Sequence, residues 1–167
     1  MTDRPVLVIG YGNSLRRDDG AGLILAHALV HAWQALDLPV SLITDHQLNP
    51  ELADDIARSG AQLVLFADAS AGAPGASIET SAVPDPSLHE GNSPSLGHHL
   101  TPEVVLLYAR ELFGFHGHGW LLSIPGFDFD HGEGLSAETR ALIDDFVRLQ
   151  CGEFWQYMQA GYASAAG

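Results

Sequence analysis

The sequence predicts an α/β fold, a three-layer sandwich in which a mostly parallel, twisted sheet of about five strands is covered by helices on both faces. Three observations carry that expectation. Short aliphatic runs alternate with longer stretches of helical periodicity. Most of the runs are continuously apolar rather than alternating, as suits strands covered on both sides. Most connections between them are short.

Val6–Ile9 is the first expected strand, and Gly10 and Gly12 then let the chain turn sharply. A helix is expected over Gly20–Leu36, with Leu23, Ile24, Leu29, Val30, Trp33 and Leu36 forming its apolar stripe. Val40–Thr44 reads as the second strand. The helix Pro50–Ser59 follows, with Asn49 as N-cap, Pro50 in the first position and Gly60 as the stop. Leu63–Ala67 is the third strand and Ser77–Val83 a weaker one. Thr101 caps a helix over Pro102–Phe113 that Gly114 ends, Trp120–Ile124 is another strand, and Ser136 caps a last helix from about Ala137 to Met158. Two turn-rich stretches, 84–100 and 125–135, are too long to be simple connections and are expected to be functional or mobile loops. No internal repeat is present. Residues 1–159 read as one α/β domain, and 160–167, small and polar, as a disordered tail.

Composition narrows the function. The chain has 167 residues and a formal net charge of −14, from 21 acids against 7 bases with 9 histidines left neutral. That balance opposes nucleic acid, which needs a basic footprint, and anionic membrane surfaces. No apolar stretch approaches the ~20 residues that span a bilayer. Cys151 is the only cysteine, so no internal disulfide forms, and its place in the last helical pattern makes it a poor nucleophile. The first residues lack a secretory pattern, and a cytoplasmic location is expected.

The stretch from Gly10 to Gly22 holds two adjacent carboxylates, Asp18 and Asp19, at the tip of a glycine-framed loop. Gly10-x-Gly12 resembles the start of a dinucleotide fingerprint, with Asp45 placed like a ribose-binding acid, but Leu15 stands where the third glycine belongs. The two carboxylates would also repel a pyrophosphate at the helix amino terminus. A cation or a cationic group is the better match. In an open parallel sheet the carboxyl ends of the strands share one edge, where ligands bind. Asp18 and Asp19 follow the first strand, Asp45 and His46 the second and Asp68 the third, while His98 and His99 precede a helix. Two oxygen ligands and one nitrogen ligand with positions left open suit a borderline divalent metal, with zinc, nickel and cobalt not distinguished. One of Asp18 and Asp19 is expected only to cap the helix after Gly20. His27 and His31 share a helical face but lack the glutamate of H-E-x-x-H, and read as a solvated stripe.

Gly10-Tyr-Gly12-Asn13-Ser-Leu15-Arg-Arg-Asp18-Asp19-Gly20-Ala-Gly22 resembles the amino-terminal signature of the nickel–iron hydrogenase maturation endopeptidases. Leu63-Val-Leu-Phe-Ala67-Asp68-Ala69, His98-His-Leu100 before a helix, and Ser123-Ile-Pro125 with Gly134-Leu135-Ser136 are similar to further motifs of that family in order and spacing. The resemblance spans nearly the whole chain. It implies an endopeptidase that removes a carboxy-terminal extension from the nickel-loaded hydrogenase large-subunit precursor. It also implies that Asp19, Asp68 and His98 are the catalytic, metal-contacting residues. The metal would be nickel carried by the substrate, or another divalent metal in its place. Where many members carry an Asp-Gly-Gly-Thr-like turn, this chain reads Asp45-His46-Gln47-Leu48, similar to the branch serving soluble bidirectional hydrogenases. Asp45, His46, Gln47 and Leu48 are therefore expected to recognise the substrate, Leu48 as an apolar anchor. Two alternatives stay open: a metallopeptidase with its own permanent metal, and a non-enzymatic nickel-binding chaperone.

Overall fold

Five strands form the sheet, in the order β2-β1-β3-β5-β4. β1 (Val6–Tyr11), β2 (Val40–Asp45), β3 (Leu63–Ala71) and β5 (His118–Gly126) are parallel, and β4 (Glu79–Ala82) pairs antiparallel with β5 at the edge. The computed structural model describes residues 2–85 and 100–166. Burial differs along the parallel strands, being complete in the centre of the sheet and partial in β2 at its edge. β1 is buried along its whole length, and β3 is buried from Leu63 to Ala67. The antiparallel β4, with no apolar run of its own, is exposed throughout.

α1 (Ala21–Ala35) and α4 (Ala137–Ala166) cover one face, where Leu25, Leu29, Trp33, Phe146 and Trp155 pack on Val6, Val8, Leu63 and Leu65. α2 (Leu52–Arg58) and α3 (Pro102–Phe113) cover the other, packing Leu52, Ile56, Val105 and Leu106 on Leu7, Ile9, Val64 and Phe66. The period-two alternation of β1 and β3 divides their side chains between these two cores. The expected three-layer sandwich is the observed one.

The caps are mostly those expected. Thr101 Oγ1 accepts from Val104 N–H at 3.3 Å, and Gly114 ends α3 in the left-handed conformation at φ 72°. Ser136 Oγ accepts from Thr139 N–H at 3.3 Å at the start of α4. α2 starts at Leu52 rather than Pro50, yet Asn49 Oδ1 still accepts from Leu52 N–H at 3.3 Å. α4 runs on to Ala166 where a tail was expected from 160. Packing accounts for its continuation past Met158: Tyr162 lies edge-on to His118 at 5.3 Å, with the Arg4 guanidinium 5.0 Å from its ring.

Candidate active site

The strand order reverses direction at β1, which has β2 on one side and β3 on the other. Chains leaving β1 and β3 therefore diverge, and a crevice opens beyond their carboxyl ends. The loop after β1 is bent into it. Gly12 sits at φ 145°, and a Cβ there would run into the Asp19 carbonyl. The chain thus folds back on itself, and Asn13 N–H donates to Asp19 Oδ2 at 2.9 Å. A single 3-10 turn, Arg17–Gly20, carries the two aspartates. Just beyond it, Gly22 lies against the Ala67 carbonyl of β3, closer than any Cβ permits. That contact holds the Asp19 turn against β3 at Ala67, and the next residue is Asp68, which lies within the strand rather than after it as expected because β3 runs on to Ala71.

Asp19 and Asp68 are both half-buried. Burial pushes the Asp68 carboxyl up to about 6. Hydrogen bonds from the Tyr11 hydroxyl and Ala69 N–H hold it down, and the negative charge of Asp19 adds to the rise. Tyr11, the last residue of β1, is shifted far above its ordinary value, first by burial and then by the Asp68 charge. Its hydroxyl therefore stays protonated and remains a fixed donor to Asp68. On the other side, Ser123 lies opposite Asp68 in the β3–β5 register and donates to Ser70 Oγ at 2.8 Å. Two electrostatically coupled carboxylates at a crevice are unfavourable alone and suit a divalent cation. Among the described residues no third histidine, cysteine or carboxylate joins them. His98, the expected nitrogen ligand, and His99 lie outside the described residues.

Asp18 does something different from the expected cap on the helix after Gly20. It has no exposed surface, and it makes no capping bond at the start of α1. Its Oδ2 accepts from Phe127 N–H at 2.8 Å, Asp128 N–H at 3.0 Å, Ser136 Oγ at 2.6 Å and Thr139 Oγ1 at 3.0 Å, and its Oδ1 from Ser136 N–H at 2.7 Å. Burial alone would raise its carboxyl, but these bonds outweigh it and hold Asp18 down at about 2. It caps the start of α4 and ties down the loop after β5. Around it, Arg17 N–H donates to Gly132 O at 3.0 Å and its guanidinium pairs with Asp128 at 3.0 Å. The Asp19 turn is therefore anchored from both sides.

The turn after β2 is also built from within. Asp45 Oδ1 accepts from His46 N–H at 2.7 Å, and its Oδ2 from Asn49 Nδ2 at 2.7 Å. Both oxygens are committed to shaping the turn. His46 and Gln47 are exposed, whereas Leu48 is buried with Leu52 and Ile56 in the core under α2. The expectation of Leu48 as an apolar anchor for a partner is corrected by that burial: its side chain is already used to seat the turn. A shallow cavity of about 300 Å³ lined by Gly12, Ser14, Leu23, Thr44, Asp45 and His46 joins this turn to the loop after β1.

No family model matches the chain, and no curated protein matches it in sequence. Solved structures do. The crystal structure of a nickel–iron hydrogenase maturation protease HycI from Thermococcus kodakarensis superposes with a TM-score of 0.65 at 22% identity, over 90% of this chain and 92% of that one. The chain carries the fold of the hydrogenase maturation proteases. The hydrogenase maturating endopeptidase HybD from E. coli gives a TM-score of 0.61 at 20% identity, over 86% of this chain and 88% of that one. A hydrogenase 2 maturation peptidase from a Thaumarchaeota archaeon gives 0.61 at 22% identity, over 90% and 98%. At these identities the likeness is one of fold.

On this maturation-protease fold, Tyr11 and the partners of Asp18 are what sequence reasoning missed. A tyrosine between two glycines at the carboxyl end of a buried strand was a legible signal for Tyr11, since its ring must lie near the sheet edge. Asp18 offered no such signal, because its partners are 109 to 121 residues away.

Proposed function

We propose that this chain is an endopeptidase that removes the carboxy-terminal extension of a nickel–iron hydrogenase large-subunit precursor once nickel has been inserted. The observation that carries the reading is the meeting of Asp19 and Asp68 at the switch-point crevice of a fold shared with the hydrogenase maturation proteases. In this reading the nickel belongs to the substrate. Asp19 and Asp68 contact it through carboxylate oxygens and His98 through its imidazole, while Tyr11 holds Asp68 in place. A loaded precursor supplies the positive charge that offsets the repulsion between the two carboxylates; an empty one does not. Recognition of nickel insertion then follows from electrostatics alone. The exposed His46 and Gln47, on a turn shaped by Asp45, select among precursors.

Incubation of the protein with nickel-loaded and nickel-free precursor, followed by mass measurement of the large subunit, tests this. Shortening of the loaded form only is the expected result. An unshortened loaded precursor that still binds would favour a chaperone and overturn the endopeptidase reading.

A further inference from the structure

A groove of about 710 Å³ lies between α2 and α3, outside the crevice that holds Asp19 and Asp68. One wall is apolar. Tyr108 is half-buried there, and Leu112 and Phe113 at the end of α3 are exposed by 68% and 46%. Two adjacent large apolar side chains in a groove wall mark a surface that gains by being covered. The opposite wall is acidic. Glu51 and Asp55 are exposed and take part in no ion pair among the described residues, while the charge of Asp54 is met by Arg58 at 3.0 Å. Apolar surface facing two unneutralised carboxylates complements a segment with an apolar anchor and flanking lysine or arginine. With a net charge of −14, a second copy of this chain is a poor occupant.

The groove begins in the chain where the turn after β2 ends. Pro50 and Glu51 line it, and the preceding residue, Asn49, is the one whose amide Asp45 holds. We propose that the α2–α3 groove docks a basic, apolar-anchored segment of the precursor away from the bond to be cleaved. The inference rests on the endopeptidase reading above and adds to it a second contact surface that supplies affinity without chemistry.

The test is steady-state processing of nickel-loaded precursor by the full chain and two double variants, Glu51→Lys with Asp55→Lys, and Leu112→Ser with Phe113→Ser. All four positions are exposed, and urea midpoints near that of the parent would verify folding. Each pair is expected to raise KM about tenfold with kcat unchanged, and the charge-reversed pair to lose the salt dependence of KM. An unchanged KM in both, with the parent active, would overturn the groove and leave the endopeptidase reading standing. A parent that never cleaves the precursor would instead remove the reading on which the groove rests. A parent that sediments as a dimer, dissociated by the Leu112→Ser and Phe113→Ser changes, would assign the groove to a second copy and overturn the proposal.

Discussion

At Asp18, donors from the β5–α4 loop and from α4 itself converge on a carboxylate with no exposed surface. Removing it leaves those donors unsatisfied, so Asp18→Ala should lower unfolding free energy by roughly 3 kcal/mol in urea titration. Its pH signature follows from linkage. The folded-state value of about 2 lies below the ordinary 3.8, so the stabilisation is present above pH 4 and lost as pH falls toward 2. That loss amounts to roughly 2 kcal/mol and should be missing from Asp18→Ala. Asp68 has the opposite sign. Its value of about 6 lies above 3.8, so the folded state binds the proton more tightly, and stability falls as pH rises from 4 to 6. Asp68→Asn should therefore be more stable than the parent at pH 7.5, by on the order of 1 kcal/mol after allowance for partial exposure. It should also lose processing of the loaded precursor. A gain of stability with loss of function is the mark of a residue kept for chemistry; a destabilised Asp68→Asn would make it a structural residue instead. Asp19→Asn should likewise abolish processing with the urea midpoint little changed.

Among the elements, the turn after β2 and the start of α1 make distinct demands. In the turn, Asp45 shapes, His46 and Gln47 face outward, and Leu48 is core. Replacing His46 and Gln47 by glycine while keeping Leu48 should weaken cleavage of the cognate precursor with the fold intact. Leu48→Ala should instead cost about 2 kcal/mol of stability, through lost burial and the cavity left behind. Equal effects of both changes on the urea midpoint would contradict this division. At the start of α1, Gly22 makes the close approach to the Ala67 carbonyl that brings Asp19 beside Asp68. Gly22→Ala must push α1 off β3, even though alanine is the better helix former. Lower stability and lower kcat are both expected, the second because the two carboxylates separate.

For the whole molecule, the described residues contain no group of three or more histidine, cysteine or carboxylate side chains that could hold a metal ion, and Asp19 and Asp68 are only a pair. An open set of this kind makes a poor structural metal site. The purified protein is therefore expected to carry little metal after dialysis against a chelator, as measured by elemental analysis, and to bind nickel weakly without precursor. Stoichiometric zinc surviving that treatment would favour a metallopeptidase with its own metal. Among the described residues no helix is long and apolar enough to cross a membrane. The net charge of −14 and the acidic wall of the α2–α3 groove are complementary in charge to the basic segment proposed above.

Local signals sufficed for much of this molecule. β1 and the first half of β3 announce themselves as continuous apolar runs because burial on both faces demands it, whereas β2, at the sheet edge, interrupts its run with Ser41 and Thr44. Thr101, Gly114 and Ser136 mark helix ends because capping is satisfied within a few residues. The parallel order places the loop that carries Asp19 and the carboxyl-terminal half of β3 that carries Asp68 toward one edge of the sheet, which the strand pattern already implies. Tertiary structure decided what depends on partners distant in the chain. Asp18 and Asp19 are adjacent and chemically identical, and only the return of Ser136 and Thr139 to Asp18 makes one a buried anchor and leaves the other to the crevice. Leu48 is core and not contact surface because α2 packs over it, and α4 continues beyond Met158 because Tyr162 meets His118. A residue's type and neighbours set its chemistry, whereas its protonation and exposure are set by what the fold packs around it.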